Sequence, residues 1–415
     1  MTAQIEQRAD AGAMDGGGRR LRRRARVSVP LQSRVVSWRR RARAARVEAL
    51  AIAARCGATL ALIAALGWPA AAPAQAPPAG TRWDQHMDAA ARAFREDRYD
   101  EAQRLLEAAF DEAERFGPAD PRAATTLNSL ALLYVTRGKL VEAEALYQHA
   151  LATREKLLGS WDPSVATSLN NLAGFYVVQG RATLAEPLYR RALEIGERAF
   201  GADSPQLDTA LRNLVGVYVD QRRYPEATAL YTRVVAIGEA ALGPDDPELA
   251  VRLNNLAEMY RLQGRAAEAE PLYMRALAIA DKAMDGHDLV LAAIARNLGA
   301  LYAAGGQASR AEPLYERALR IREGVLGPDD PAVAVTRVEM ARVRAAAGKT
   351  AEAETLYQRA IASQEKQTPG RSPAALADAL EGYAILLRQS GRAAEADQVQ
   401  SRARRLREPP AKSGP

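Results

Sequence analysis

The residues best suited to chemistry in this 415-residue chain are asparagines and arginines that return at a fixed spacing. Asn128-Ser129, Asn170-Asn171, Arg212-Asn213, Asn254-Asn255, Arg296-Asn297 and Val338-Glu339 follow one another at intervals of 42 residues. An amide side chain both donates and accepts hydrogen bonds, so a row of them can hold an extended peptide backbone whatever its sequence. Arg212 and Arg296, with Arg261 nearby, add positive charge, which favours acidic side chains or a carboxylate terminus. The row suits recognition rather than bond-making. Asparagine is a poor helix former, because its side chain competes for backbone hydrogen bonds, so its return in five consecutive periods needs a reason. A structural reason stays open beside the functional one. The amides can instead bond neighbouring helices and fix their pitch, and the second member of each pair suits that role better.

Signals for catalysis are missing. Cys56 is the single cysteine, so the chain can form neither an intramolecular disulfide nor a cysteine pair. His86, His149 and His287 stand far apart, whereas zinc chemistry needs a cluster. No GxSxG, Walker or HExxH motif occurs. The glycine run at 16–18 lacks the strand–loop–helix setting that would cradle a phosphate. The reading is a non-enzyme with no cofactor, no metal and no small-molecule substrate.

Charge is unevenly placed. Residues 1–74 carry 14 Arg against Glu6, Asp10, Asp15 and Glu48, while the remaining chain holds 43 bases and 46 acids. The basic pI therefore belongs to the N-terminus, and a nucleic-acid partner is not expected. Residues 1–46 have no apolar period and read as a disordered or miscalled extension. Residues 47–74 read as a secretory signal. They offer an uncharged apolar stretch (57–68) behind Arg46 and Arg55, then Ala72-Pro73-Ala74, with cleavage expected after Ala74. The apolar stretch is shorter than the roughly 20 residues that a membrane span needs. Residues 75–80 are a linker. A periplasmic or secreted protein is expected, with a membrane-anchored or cytoplasmic one as the alternatives; 51 Arg against 6 Lys, with abundant Ala, suggests a bacterial source.

One period governs the rest. Pro121, Pro163, Pro205, Pro247, Pro331 and Pro373 are multiples of 42 apart, with Leu289 at the missing place. Ala143, Ala185, Ala227, Ala269, Ala311 and Ala353 keep the same spacing. A fixed period in this range means stacked units that cannot bury their apolar faces alone. Each unit reads as two helices. In residues 247–281, Asp246 is the N-cap and Pro247 the first helical residue. Leu253, Leu256, Ala257 and Tyr260 form an apolar stripe. Gly264 ends that helix in a left-handed turn, and Ala269, Leu272, Tyr273, Ala276 and Leu277 form the next stripe. The small residues Ala131, Ala173, Ala257, Gly299 and Ala341, paired with the Ala143 series, let the two axes approach.

These residues resemble the tetratricopeptide repeat in its 42-residue form, typical of kinesin light chains. The likeness is carried by residues 169–201 and by the linker VLGPDDPAVA at 325–334. It implies an all-α, right-handed superhelical solenoid of eight hairpins over residues 81–408. Units fall near 81–119, 120–161, 162–203, 204–245, 246–287, 288–329, 330–371 and 372–408, before a disordered tail at 409–415. Arg222 replaces a turn glycine, and two late units lose the first-helix tyrosine, showing Arg344 and Leu387 near its place. The resemblance also places the first helices on the concave surface. Asn128, Asn170, Asn171, Arg212, Asn213, Asn254, Asn255, Arg261, Arg296 and Asn297 would then line a peptide groove. Of these, Asn170, Asn254 and Arg296 are expected to face the groove without supporting the core. Tyr134, Tyr176, Tyr218, Tyr260 and Tyr302 read as packing residues. The implied function is a scaffold holding a protein or peptide segment, with an acidic one favoured. A cytoplasmic signalling adaptor and a self-associating architectural protein are the alternatives.

Overall fold

The computed structural model describes residues 81–117, 120–284, 286, 288–366 and 373–407. The expected signal, its cleavage site, His287 and the tail lie outside them. Among the described residues the chain forms sixteen α-helices and no strand. They pack as consecutive pairs. The first is α1 (Arg82–Arg95) with α2 (Tyr99–Arg115), followed by α3 (Arg122–Thr136) with α4 (Leu140–Leu158), and α5 (Pro163–Val178) with α6 (Ala182–Phe200). Next come α7 (Asp208–Asp220) with α8 (Tyr224–Leu242), α9 (Pro247–Leu262) with α10 (Ala266–Ala283), and α11 (Leu289–Ala304) with α12 (Ala308–Leu326). The last are α13 (Pro331–Ala346) with α14 (Thr350–Glu365), and α15 (Pro373–Gln389) with α16 (Ala393–Arg407). Each second helix also packs on the first helix of the next pair, and successive first helices meet at most steps from α3 onward. The result is an all-α solenoid of eight hairpins.

Local chemistry sets the helix starts. The carboxylates of Asp162, Asp246, Asp288 and Asp330 each accept the backbone N–H two residues on, at 2.7–2.8 Å. Pro163, Pro247 and Pro331 follow at the first helical position. Leu289 replaces the proline without loss, because the Asp288 cap does the starting. Ser204-Pro205 instead opens a 3-10 turn (Pro205–Leu207), and α7 begins only at Asp208. First helices end in a left-handed residue, Gly264 at φ +72° for example. Arg222 takes the same place at φ +59°, a conformation that costs a side-chain-bearing residue about 1–2 kcal/mol.

The small residues meet as expected. Ala131, Ala173, Ala257 and Ala341 are wholly buried, as is the whole Ala143 series. A Cβ on Gly299 would sit 3.3 Å from the Tyr315 ring. The first-helix tyrosines pack between units. Tyr176 donates its hydroxyl to Glu144 at 2.8 Å under the Arg181 guanidinium, and Tyr302 donates to Glu270 at 3.0 Å under Arg310. Where the tyrosine is lost, Arg344 reaches Glu312, the residue one period after Glu270, at 3.1 Å. In the last hairpin Leu387 is buried in the core, and Tyr383 supplies the hydroxyl, donating to Glu354 at 2.6 Å.

A second regularity appears where units join. Arg154 on α4 donates to Ser164 O and Ser168 Oγ of α5 and to Thr125 Oγ1 of α3, each at 3.0 Å. Its burial pulls the guanidinium pKa down to about 10. Arg322 on α12 donates to Ala332 O and Thr336 Oγ1 of α13 at 3.1 and 2.8 Å. At the α8–α9 step the direction reverses. Arg252 of α9 reaches back to Val234 O at 3.0 Å and Asp208 at 2.6 Å. The intervening steps are apolar. Gly196 packs against Leu207 at one, and the wholly buried Ala280 and Ile294 take the corresponding places at the other. Guanidinium and apolar junctions thus alternate from α4 to α13.

Candidate functional site

The paired positions lie midway along α3, α5, α7, α9, α11 and α13, and the structure divides them into two groups. In the first group the amides are largely unpartnered. Asn128 is buried and donates to Ser168 Oγ at 3.4 Å, while its Oδ1 is buried without a partner. Asn170 likewise has a buried Oδ1 with no partner. Asn171 and Asn213 are half-buried, and neither makes a side-chain hydrogen bond among the described residues. Arg212 pairs with Asp208 of its own helix at 2.9 Å and keeps 43% of its side chain exposed.

In the second group the same positions bond one another. Asn255 donates to the Tyr231 hydroxyl at 3.1 Å, and Asn254 to Asn255 Oδ1 at 3.3 Å. Asn297 donates to Asn254 Oδ1 at 3.0 Å. Arg296 donates to Asn297 Oδ1 at 3.4 Å and grips the Glu339 carboxylate with two nitrogens, one at 2.6 Å. This polar chain runs from α8 to α13. Burial alone would lower the Arg296 pKa, but Glu339 outweighs it and the net shift is upward. Arg261 is held by both oxygens of Glu258, at 2.7 and 2.6 Å, and that pairing raises its pKa.

The expectation that Asn254 and Arg296 would not support the core is therefore corrected: both tie neighbouring units together. The free positive charge expected of Arg261 and Arg296 is matched by Glu258 and Glu339. Asn170 keeps a buried amide oxygen without a partner. The structural reading describes the second half of the row, and the first half lacks those bonds.

Sequence reasoning passed over four buried arginines, Arg154, Arg252, Arg322 and Arg337. Each was one Arg among 51. The available signal was a joint one: Arg154 and Arg322 stand 14 residues before Ser168 and Thr336, and Gly238 stands 14 before Arg252. Among the described residues no three His, Cys, Asp or Glu side chains gather as a metal site, and no helix is long and apolar enough to cross a membrane.

A stack of eight hairpins on a 42-residue period, with a polar row along its first helices, defines an α-solenoid repeat protein. The chain belongs to the tetratricopeptide repeat family, whose model matches residues 88–156, 164–237, 206–282 and 290–366, more than half its length. No curated relative matches. Among solved structures, BtubC (BKLC) from P. vanneervenii is 27% identical, with a TM-score of 0.47, over 60% of this chain and 94% of that one. A putative kinesin light chain with TPR-like repeats from Podosopora anserina is 26% identical, with a TM-score of 0.44, over 50% and 99%. A STAND protein with a tetratricopeptide repeat sensor from Pyrococcus horikoshii shares the fold at 16% identity and a TM-score of 0.54; the match covers 73% of this chain and 44% of that one. Members of the family generally mediate protein–protein interaction and are generally non-catalytic.

Proposed function

We propose that the protein is a non-catalytic scaffold that holds an extended segment of a partner protein along its first helices, over α3, α5 and α7. The observation that carries this reading is the contrast within one repeated pair of positions. Asn170, Asn171 and Asn213 lack the side-chain bonds that Asn254, Asn255 and Asn297 make to one another. Asn171 and Asn213 are half-buried, so their unbonded amides remain open to the backbone of a ligand. The exposed Arg212 beside them favours one acidic group on the partner. Capture of partners by the full chain tests the reading. Asn171→Ala/Asn213→Ala should lose what the wild type retains, while Met274→Ala on the exposed surface of α10 should not.

We also propose export across a bacterial inner membrane, on the apolar stretch 57–68 and the Ala72-Pro73-Ala74 site. Sequencing the N-terminus of the protein from periplasm or medium should give Gln75. Full-length protein confined to cytosol would contradict export and favour the cytoplasmic adaptor.

A further inference from the structure

Arg212 and Arg296 occupy the same position of the period, two units apart. What faces them differs. The residue 43 positions on is Asn255 in one case and Glu339 in the other. That place holds an amide in Asn171, Asn213, Asn255 and Asn297, and turns acidic at Glu339 and again at Glu381 one period on. Arg296 donates from Nε and Nη2 to the two oxygens of Glu339, and the two side chains are only 12% and 17% exposed. That parallel, two-bond grip is the geometry by which an arginine takes any carboxylate. Arg212 has no such partner from the next unit. It shares Asp208 with Arg252 and keeps 43% of its side chain exposed.

We propose that Arg296 is a second carboxylate subsite of the groove and that Glu339 closes it from within. The inference rests on the groove reading above. An acidic partner is then held through Arg212 alone, and the Arg296 subsite opens only when Glu339 is displaced. The charge of Glu339 is what keeps a competing carboxylate out. Removing that charge while keeping the shape should leave the guanidinium, bonded to Asn297 Oδ1, with a neutral partner that a carboxylate can displace.

The test uses the full chain and a short fluorescein-labelled peptide of alternating Ala and Glu, at low salt. Glu339→Gln should bind the probe about tenfold tighter than wild type, worth about 1.4 kcal/mol. The gain should shrink as salt rises and vanish in Glu339→Gln/Arg296→Gln, which should match wild type. Arg212→Gln should weaken binding about tenfold. The double variant leaves no unpaired buried charge, so it keeps the comparison usable if a single variant unfolds. Wild-type binding that depends on Arg212, with no gain in Glu339→Gln, overturns the closed subsite and leaves the groove reading intact. A double variant that binds much more weakly than wild type also overturns it. No binding by any variant overturns both.

Discussion

The guanidinium of Arg252 fills the space beside Gly238, where a Cβ would lie 2.7 Å from its Nη1. Arg252 cannot simply retract, because Asp208, Val234 O and Glu248 hold it at 2.6, 3.0 and 2.8 Å. Gly238→Ala should therefore destabilise by about 1–3 kcal/mol, although alanine is the better helix former. In an Arg252→Ser background the same change should become neutral or stabilising. The swap Gly238→Arg/Arg252→Ser recreates the Arg154–Ser168 arrangement and should be more stable than Arg252→Ser alone. Denaturant titration of the wild type and these four variants measures this coupling, and additive effects of Gly238→Ala and Arg252→Ser would contradict the reciprocal packing.

Arg222 holds φ +59° and is exposed. Glycine adopts this conformation freely, and among the described residues the Arg222 side chain makes no hydrogen bond or ion pair that would be lost. Arg222→Gly should raise stability by about 1 kcal/mol, and Arg222→Val should lower it. The midpoint of urea unfolding checks both. An unchanged midpoint for the glycine variant would show that the turn is not strained.

The two groups of asparagines should part in stability as they do in bonding. Asn297→Ala breaks the chain between Asn254 and Arg296 and should cost about 0.5–1.5 kcal/mol. Asn170→Ala removes an unbonded oxygen and places a better helix former, so it should leave stability level or raise it. Thermal melts followed by circular dichroism compare them. Equal losses would mean that the whole row is structural.

The period made the fold legible. Prolines and alanines 42 residues apart are placed by backbone geometry and close packing, and those demands leave few alternatives. Asp246, Pro247 and Gly264 stand where their local chemistry puts them. The division of the polar row was not legible. Whether an amide bonds its neighbour depends on what the next unit presents, and Asn170 and Asn254 look alike in sequence. Glu339 read only as the end of a pattern, because its meaning lies in Arg296, 43 residues earlier. The alternating junctions were hidden for the same reason: Gly238 is unremarkable until Arg252 is placed beside it.

Alkali should unfold the protein as its buried tyrosines ionise. Burial raises the pKa of Tyr147, Tyr189, Tyr231 and Tyr273 above the ordinary 10.0. The folded state keeps these protons more tightly than the unfolded state does. Their contribution is fully present below pH 10 and is lost as pH rises past that value towards the folded pKa. The last part of the phenolate absorbance should therefore appear together with the loss of helical content, above pH 10. Ionisation of all fourteen tyrosines before any helix loss would contradict the burial of these four.

The most direct test of the central claim is site-specific photo-crosslinking in cells, with a photoreactive phenylalanine at Asn171, Asn213 or Met274 of the full chain. Met274 lies on α10 and is 51% exposed, so it is at least as accessible as the two row positions. The account predicts one shared adduct from positions 171 and 213, absent from 274 and lost when Arg212→Gln is added. Adducts that form equally from 274, or none from either row position, would contradict a partner segment held along the first helices.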